Sequence, residues 1–483
     1  MLREDNLATL SDFYEFTMLD GFINAGKHQT IACFDAFFRE IPDKGGFVIA
    51  AGLESIVNYI KNLKFSKEDV DYFKRLNMFS DKFIEYIENF EFACDVWAVP
   101  EGTPVFPGEP LVTVRGPVGQ AQIMETMILL CINHQSLIAT KANRIVRAAE
   151  GRTVMEFGAR RAQGYSAAVL GSRAAYIAGC DSTSCTISDR EYTIPVSGTM
   201  AHSWITLFDS EYEAFKAYAE RYPDKCVLLV DTYNVLKSGL PNAIKVFDDV
   251  LKPKGIRPIG IRIDSGDLTY LSKKARKVLD DAGYPDCKIV ASNSLDEYII
   301  RDTIMQGAKI DSFGVGERLI TSKSEPVLGG VYKLCETEEN GVVTPKIKLS
   351  ENVTKITTPC FKQIYRLYSK ENDQAIADVV TMHDEVIDDT KPIEIFDPDH
   401  TWKRKTLTDV YAKPLMQKIF DKGKCIYDLP SVEEVKKYCL SQIDGIWDEV
   451  KRFENPHKYY VDLSEKLWAI KSELTKEYSK LER

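Results

Sequence analysis

Long hydrophobic runs are missing from this chain. The longest uninterrupted apolar stretches, such as residues 127–131, fall far short of the roughly 20 residues a membrane-spanning helix needs, so no membrane span is expected. Residues Met1-Leu2-Arg3-Glu4-Asp5-Asn6 lack an apolar core and a small-residue cleavage site, so a secretory signal is not expected. The 11 Cys are odd in number and scattered, and the nearest pair, Cys180 and Cys185, fits neither a zinc ribbon nor a redox motif. Reduced thiols and a cytoplasmic location are the expectation. A basic excess is absent too: the formal net charge of -10 excludes a general nucleic-acid binder, which needs a basic face. It does not exclude an anionic small substrate, because a few Arg residues and a metal ion reverse the field inside a cleft. There is no internal repeat and no low-complexity segment.

What is present is a globular composition. Hydrophobic residues make up 44% and charged residues 28% of 483, enough for two or three domains. The first section, residues 1–135, mixes helix and strand. Residues 55–63 and 67–76 have helical amphipathicity, and residues 120–137 form a longer apolar-periodic helix. Residues 96–99 and 111–114 are expected strands around a turn-rich stretch.

The second section, residues 136–330, alternates short apolar runs with helical stretches. Strands are expected at residues 153–157, 226–230, 257–261, 288–291 and 310–313, and helices at 166–177, 243–251, 268–282 and 295–305. That alternation implies βα units with parallel pairing, and their number favours a closed or nearly closed barrel. In the third section, residues 331–483, strands at 331–334, 342–349 and 363–367 precede a charged and mostly helical tail from Thr408, expected as a separate covering layer. The fold class is α/β.

The chemistry falls at the ends of the middle strands, where a β/α barrel builds its active site. There stand Gly158-Ala159-Arg160-Arg161, Ser197-Gly198-Thr199-Met200-Ala201-His202-Ser203, Asp231-Thr232-Tyr233, Arg262-Ile263-Asp264-Ser265-Gly266-Asp267, Ser292-Asn293-Ser294 and Gly314-Val315-Gly316-Glu317-Arg318. Small residues let backbone N–H groups approach phosphate oxygens. Arg supplies planar bidentate donors for phosphate or carboxylate, and Asp holds ribose hydroxyls or magnesium. Each has a plainer explanation: Gly-x-Gly as a tight turn, paired Arg as a solvated face, Asp264 as a helix cap, His202 as a structural hydrogen-bonder. Residue types and spacing alone lead as far as a phosphate-handling β/α enzyme.

The ordered set of motifs resembles the nicotinate phosphoribosyltransferases almost end to end. The resemblance is carried by Asp12-Phe13-Tyr14-Glu15-Phe16-Thr17-Met18, Phe37-Phe38-Arg39, Glu101-Gly102 through Pro110-Leu111, Glu156-Phe157-Gly158-Ala159-Arg160-Arg161, Gly198-Thr199-Met200-Ala201-His202-Ser203, Asp231-Thr232-Tyr233, Arg262-Ile263-Asp264-Ser265-Gly266-Asp267 and Gly329-Gly330-Val331-Tyr332.

That resemblance implies an N-terminal α+β domain, an irregular β/α barrel and a smaller, mostly helical C-terminal region. It implies synthesis of nicotinate mononucleotide and pyrophosphate from nicotinate and phosphoribosyl pyrophosphate, with Mg2+ and with ATP as co-substrate, in the ligase class. The family's phosphorylated histidine matches His202, joined in catalysis by Arg262 and Asp264. Its nicotinate contacts match Tyr14, Thr199 and Arg262, with Phe157 placed as a ring-stacking aromatic. Arg160, Asp231, Ser292, Asn293, Gly314 and Gly316 match phosphoribosyl and phosphate positions. Glu317 departs from the family, many members of which carry Thr there, and a carboxylate repels phosphate unless it turns away or meets Arg318 or magnesium. The family also implies a homodimer with Tyr14 reaching the partner's site. A nicotinamide-using relative and a catalytically silent regulatory homologue stay open as alternatives, and the metal ligands stay unassigned.

Overall fold

The computed structural model describes residues 7–352 and 355–480; the segment without a leader pattern, residues 1–6, lies outside them. The chain divides into two compact units, Met1–Leu137 with Val327–Arg483, and Ile138–Pro326. The three sections of the sequence thus form two units, the third folding with the first.

The first unit is built on a seven-stranded sheet in the order Val342–Pro345, Val331–Glu339, Ile31–Phe37, Val112–Pro117, Asp95–Ala98, Gln417–Asp421, Lys424–Cys425. Its third strand, Ile31–Phe37, pairs antiparallel with both neighbours, and its inner residues are buried on both faces. A strand covered on both sides shows no alternation, and Asp35 interrupts its apolar run. Asp35 is satisfied inside by the Thr113 hydroxyl at 2.6 Å and the Lys362 ammonium at 2.7 Å.

Amphipathic helices cover this sheet: Leu53–Asn62, Lys67–Leu76, capped by Ser66 with Asp69 in a capping box, and Asp81–Glu88, capped by Ser80. The last two share an aromatic cluster with the helix Phe13–Asn24, in which Phe16 meets Phe73 at 4.8 Å and Phe79 stacks on Phe83 at 4.4 Å.

The tail from Thr408 is not the separate, mostly helical layer expected. Leu415, Met416, Ile419 and Phe420 are core residues of the first unit, and the Gln417–Asp421 strand pairs with Asp95–Ala98. Among the described residues helix is confined there to Val432–Asp444 and Glu465–Tyr478. A four-stranded sheet around Lys362–Ser369 and Ala375–Met382 holds a buried Arg366–Asp378 ion pair at 2.6 Å.

The second unit carries a parallel sheet of six strands, in the order Ser182–Thr183, Thr153–Glu156, Ser312–Val315, Lys288–Ser292, Gly260–Ile263, Val227–Leu229. Helices alternate with the strands, among them Tyr165–Ile177, Leu268–Asp281 and Glu297–Met305. This is the βα rhythm expected, with the Gly260–Ile263 strand three residues later than placed from sequence, because Pro258 lacks the N–H a ladder needs. Among the described residues no ladder joins the two outermost strands, so the sheet is open by its hydrogen bonds.

The helical stretch Val118–Ala148 is long and apolar enough to cross a membrane by length and composition. This is contrary to the expectation that no stretch is long enough: polar residues spaced along it keep its unbroken apolar runs short. The qualifying window is 67% buried, as in a core helix.

Candidate active site

Five of the six parallel strands end in residues singled out from sequence. Asp231 follows Val227–Leu229 by one residue, Asp264 follows Gly260–Ile263 directly, and Ser292 ends Lys288–Ser292. Phe157 follows Thr153–Glu156, and Gly314 and Gly316 flank the end of Ser312–Val315. Carboxyl ends of parallel strands are where open α/β sheets bind ligands.

Two linked hydrogen-bond groups form there. In the first, His202 Nε2 lies 3.2 Å from Asp231 Oδ1. The carboxylate is 1% exposed and the imidazole 44%. Asp231 Oδ2 accepts the Asp264 backbone N–H at 3.1 Å and the Ser265 hydroxyl at 2.5 Å, so both oxygens are engaged and the carboxylate is fixed.

In the second group, Arg262 donates from Nε to Ser292 at 2.9 Å, from one terminal nitrogen to Thr199 at 3.3 Å and from the other to Asp264 at 2.9 Å. Ser292 also donates to the Asp264 carboxylate. A guanidinium has five N–H donors, so two remain for a ligand. The Arg262 guanidinium lies over the Phe157 ring, 5.6 Å from its centroid. Gly314 makes room for that ring: a Cβ there would stand 2.5 Å from a Phe157 ring carbon.

The helix-cap explanation of Asp264 fails, because Asp267 caps Leu268–Asp281 by accepting the Tyr270 N–H at 2.7 Å. Asp264 is left for Arg262, Ser292 and whatever binds the site. Glu317 finds its cation elsewhere than at Arg318. Arg318 pairs with Asp296, and Glu317 instead meets Lys323 at 2.7 Å. Lys323, with Arg161 and Arg318 nearby, holds the Glu317 carboxyl below its usual range.

Hard oxygen donors for a divalent ion are present in Asp264 and Asp231. The Asp231 oxygens are both taken, whereas Asp264 Oδ2 has no donor among the described residues. A tight set of potential metal ligands occurs elsewhere, at Cys33, Asp35 and Cys335 in the first unit, but there the Lys362 ammonium already neutralises Asp35.

Comparison with known proteins decides the family. Family models described as the nicotinate phosphoribosyltransferase N-terminal and C-terminal domains match residues 9–133 and 361–471. The nicotinate phosphoribosyltransferase of Bacillus subtilis (strain 168) is 42% identical over 97% of this chain and 95% of its own. That of Dictyostelium discoideum is 35% identical over 95% of this chain and 86% of its own. The chain belongs to the nicotinate phosphoribosyltransferase family. The crystal structure of human nicotinic acid phosphoribosyltransferase superposes with a TM-score of 0.84 at 27% identity, covering 96% of this chain and 100% of that one.

Of the residues matched to this family by motif, the structure brings His202, Asp231, Arg262, Asp264, Ser292, Thr199 and Phe157 into contact, directly or through one another. Arg160 is exposed on the short turn Ala159–Arg161. Asn293 is exposed with a φ of 107°, a strained conformation. Tyr14 belongs to the first unit and is 43% exposed on the first turn of its helix.

Three supporting residues escaped the sequence reading. Ser265 locks Asp231, and Lys323 neutralises Glu317. Buried Glu156 accepts from the Gly158 N–H, Ser172 and Thr183, shaping the turn that presents Phe157, and burial raises its pKa. Ser265 and Glu156 lie inside quoted motifs; for Lys323 no sequence signal exists, since its partner is six residues away across an irregular turn.

Proposed function

We propose that this chain is an ATP-coupled nicotinate phosphoribosyltransferase of NAD biosynthesis, with the cluster around Arg262 and His202 as its active site. Transfer of a phosphoribosyl group to nicotinate rests on the family membership. The ATP coupling rests on one observation, the half-exposed His202 imidazole held by the buried Asp231 carboxylate.

The pyridine nitrogen of nicotinate attacks the anomeric carbon of the sugar as pyrophosphate leaves from the opposite face, and the configuration inverts. The ribose carries oxocarbenium character in the transition state, as in other glycosyl transfers. No protein nucleophile toward the sugar is needed; positioning and neutralisation of the leaving group are the tasks.

The two spare N–H donors of Arg262 suit the nicotinate carboxylate, with Thr199 beside them and the rings of Phe157 and Tyr14 for the planar substrate. Arg160, Asp231, Ser292, Asn293, Gly314 and Gly316 surround the phosphoribosyl moiety in this assignment. Magnesium would be held by Asp264 and would neutralise charge on the phosphates. His202 attacks the γ-phosphorus of ATP. With Nε2–H held by Asp231, the Nδ1 lone pair forms the N–P bond while the P–O bond to ADP breaks. Working as a cytoplasmic homodimer, the chain would receive Tyr14 from its partner.

Pyrophosphate release measured with nicotinate and with nicotinamide, each with and without ATP, tests the proposal. Release with nicotinate, stimulated by ATP, is expected. Preference for nicotinamide would overturn the substrate, and indifference to ATP would overturn the coupling.

A further inference from the structure

The turn that carries Tyr14 is fastened by a side chain that has no place in the chemistry above. Glu15 is fully buried at 0% exposure, on the first turn of Phe13–Asn24. Its Oε1 accepts both the backbone N–H of Thr126, at 3.1 Å, and the Thr126 hydroxyl, at 2.5 Å. The Thr126 oxygen in turn accepts the backbone N–H of Asp12 at 3.0 Å. Asp12, Thr126 and Glu15 thus close a ring of hydrogen bonds around the start of the helix, and Phe16 anchors the following residue against Phe65 and Phe73.

Tyr14 is exposed on this turn, with the Glu125 carboxylate beside its hydroxyl. Thr126 holds the turn through Glu15 while its neighbour Glu125 meets the Tyr14 hydroxyl, so the direction of the ring is tied to the clasp.

The clasp is costly. Glu15 Oε2 is buried with no partner, and Asp12 and Glu125 are like charges nearby. Packing alone would be met better by Leu or Met. A carboxylate earns its place here through the two directional bonds it makes to Thr126, near the N-terminus of the helix Glu125–Ala148, where backbone N–H groups lack helical acceptors.

We propose that Glu15 and Thr126 are positioning residues for nicotinate, a hydrogen-bonded clasp that sets the orientation of Tyr14. This rests on the reading that Tyr14 covers the nicotinate ring. The alternative role is a helix cap that contributes stability and nothing else.

Steady-state kinetics on the full-length protein separate these roles. Thr126→Val keeps the shape and removes the hydroxyl bonds. It should raise KM for nicotinate by about fivefold, the worth of about one such bond, with KM for phosphoribosyl pyrophosphate unchanged. Thr126→Ser should restore the nicotinate KM, and Glu15→Gln, which retains an acceptor oxygen, should stay close to the parent protein. Glu15→Ala should follow Thr126→Val where it folds.

Tyr14→Ala is the control. It should raise the nicotinate KM, and adding Thr126→Val to it should raise it no further. If Tyr14→Ala raises that KM while Thr126→Val changes only thermal stability, the clasp is a cap and the inference falls. If Tyr14→Ala itself leaves the nicotinate KM unchanged, the reading of Tyr14 fails and the inference with it.

Discussion

His202 and Asp231 form a pair in which an accessible imidazole leans on a carboxylate withdrawn from solvent, 3.2 Å apart. The carboxylate cannot swing away, because the Ser265 hydroxyl and the Asp264 N–H hold its other oxygen. A fixed acceptor selects one imidazole tautomer and would stabilise the positive ring that the proposed phosphorylation creates. Asp231→Asn keeps the shape but presents an amide that favours the other tautomer. ATP turnover should fall by roughly a hundredfold or more, while slow ATP-independent pyrophosphate release with nicotinate persists. Equal loss of both rates would show that Asp231 serves the sugar alone.

Arg262 is expected to act on nicotinate. A charged donor to a carboxylate contributes about 1.5–3 kcal/mol, or roughly ten- to a hundredfold in affinity. Arg262→Ala should raise KM for nicotinate by that factor and KM for phosphoribosyl pyrophosphate by much less. Because Arg262 also holds Asp264 and Ser292, circular dichroism and thermal melting should accompany the kinetics.

Glu15 predicts a pH dependence of stability. Burial raises its pKa from the usual 4.5 to about 7, with Glu125 and Asp12 adding to the rise and the Thr126 bonds opposing it. The folded state therefore holds a proton that the unfolded chain gives up at lower pH. The stability this confers is fully present below pH 4.5 and is lost as pH rises through 7. Melting temperatures of the parent protein relative to Glu15→Gln should drop across that window and level off above it. A difference independent of pH would place an ionised Glu15 in the fold throughout.

Tyr14 tests assembly. Tyr14→Ala and His202→Ala proteins should each be poorly active. If active sites are shared, mixed dimers formed by dissociation and reassociation regain one intact site. No recovery in dimers shown to be mixed would place both residues in one subunit's site.

The legible parts of this chain were those with a local signal. The helix Lys67–Leu76 came out residue for residue, because its apolar spacing is regular, and the Ser66–Asp69 capping box bounds it. The strand Ile31–Phe37 left no trace, being buried on both faces with Asp35 in its middle, and its partners lie some 80 and 300 residues away in sequence. In the site, His202, Arg262 and Asp264 stood out by motif. Their connections did not: that Asp231 meets His202, or that Lys323 rather than Arg318 neutralises Glu317, depends on side-chain directions at irregular turns.

The account turns most directly on whether His202 takes a phosphoryl group from ATP. The protein should be incubated with magnesium and ATP labelled in the γ-phosphate, then digested and mapped. The label should sit on the peptide containing His202, be lost in acid and kept in base, and be missing from His202→Ala. Label that persists in His202→Ala, or a parent protein that hydrolyses ATP during nicotinate turnover without ever carrying label, would contradict it.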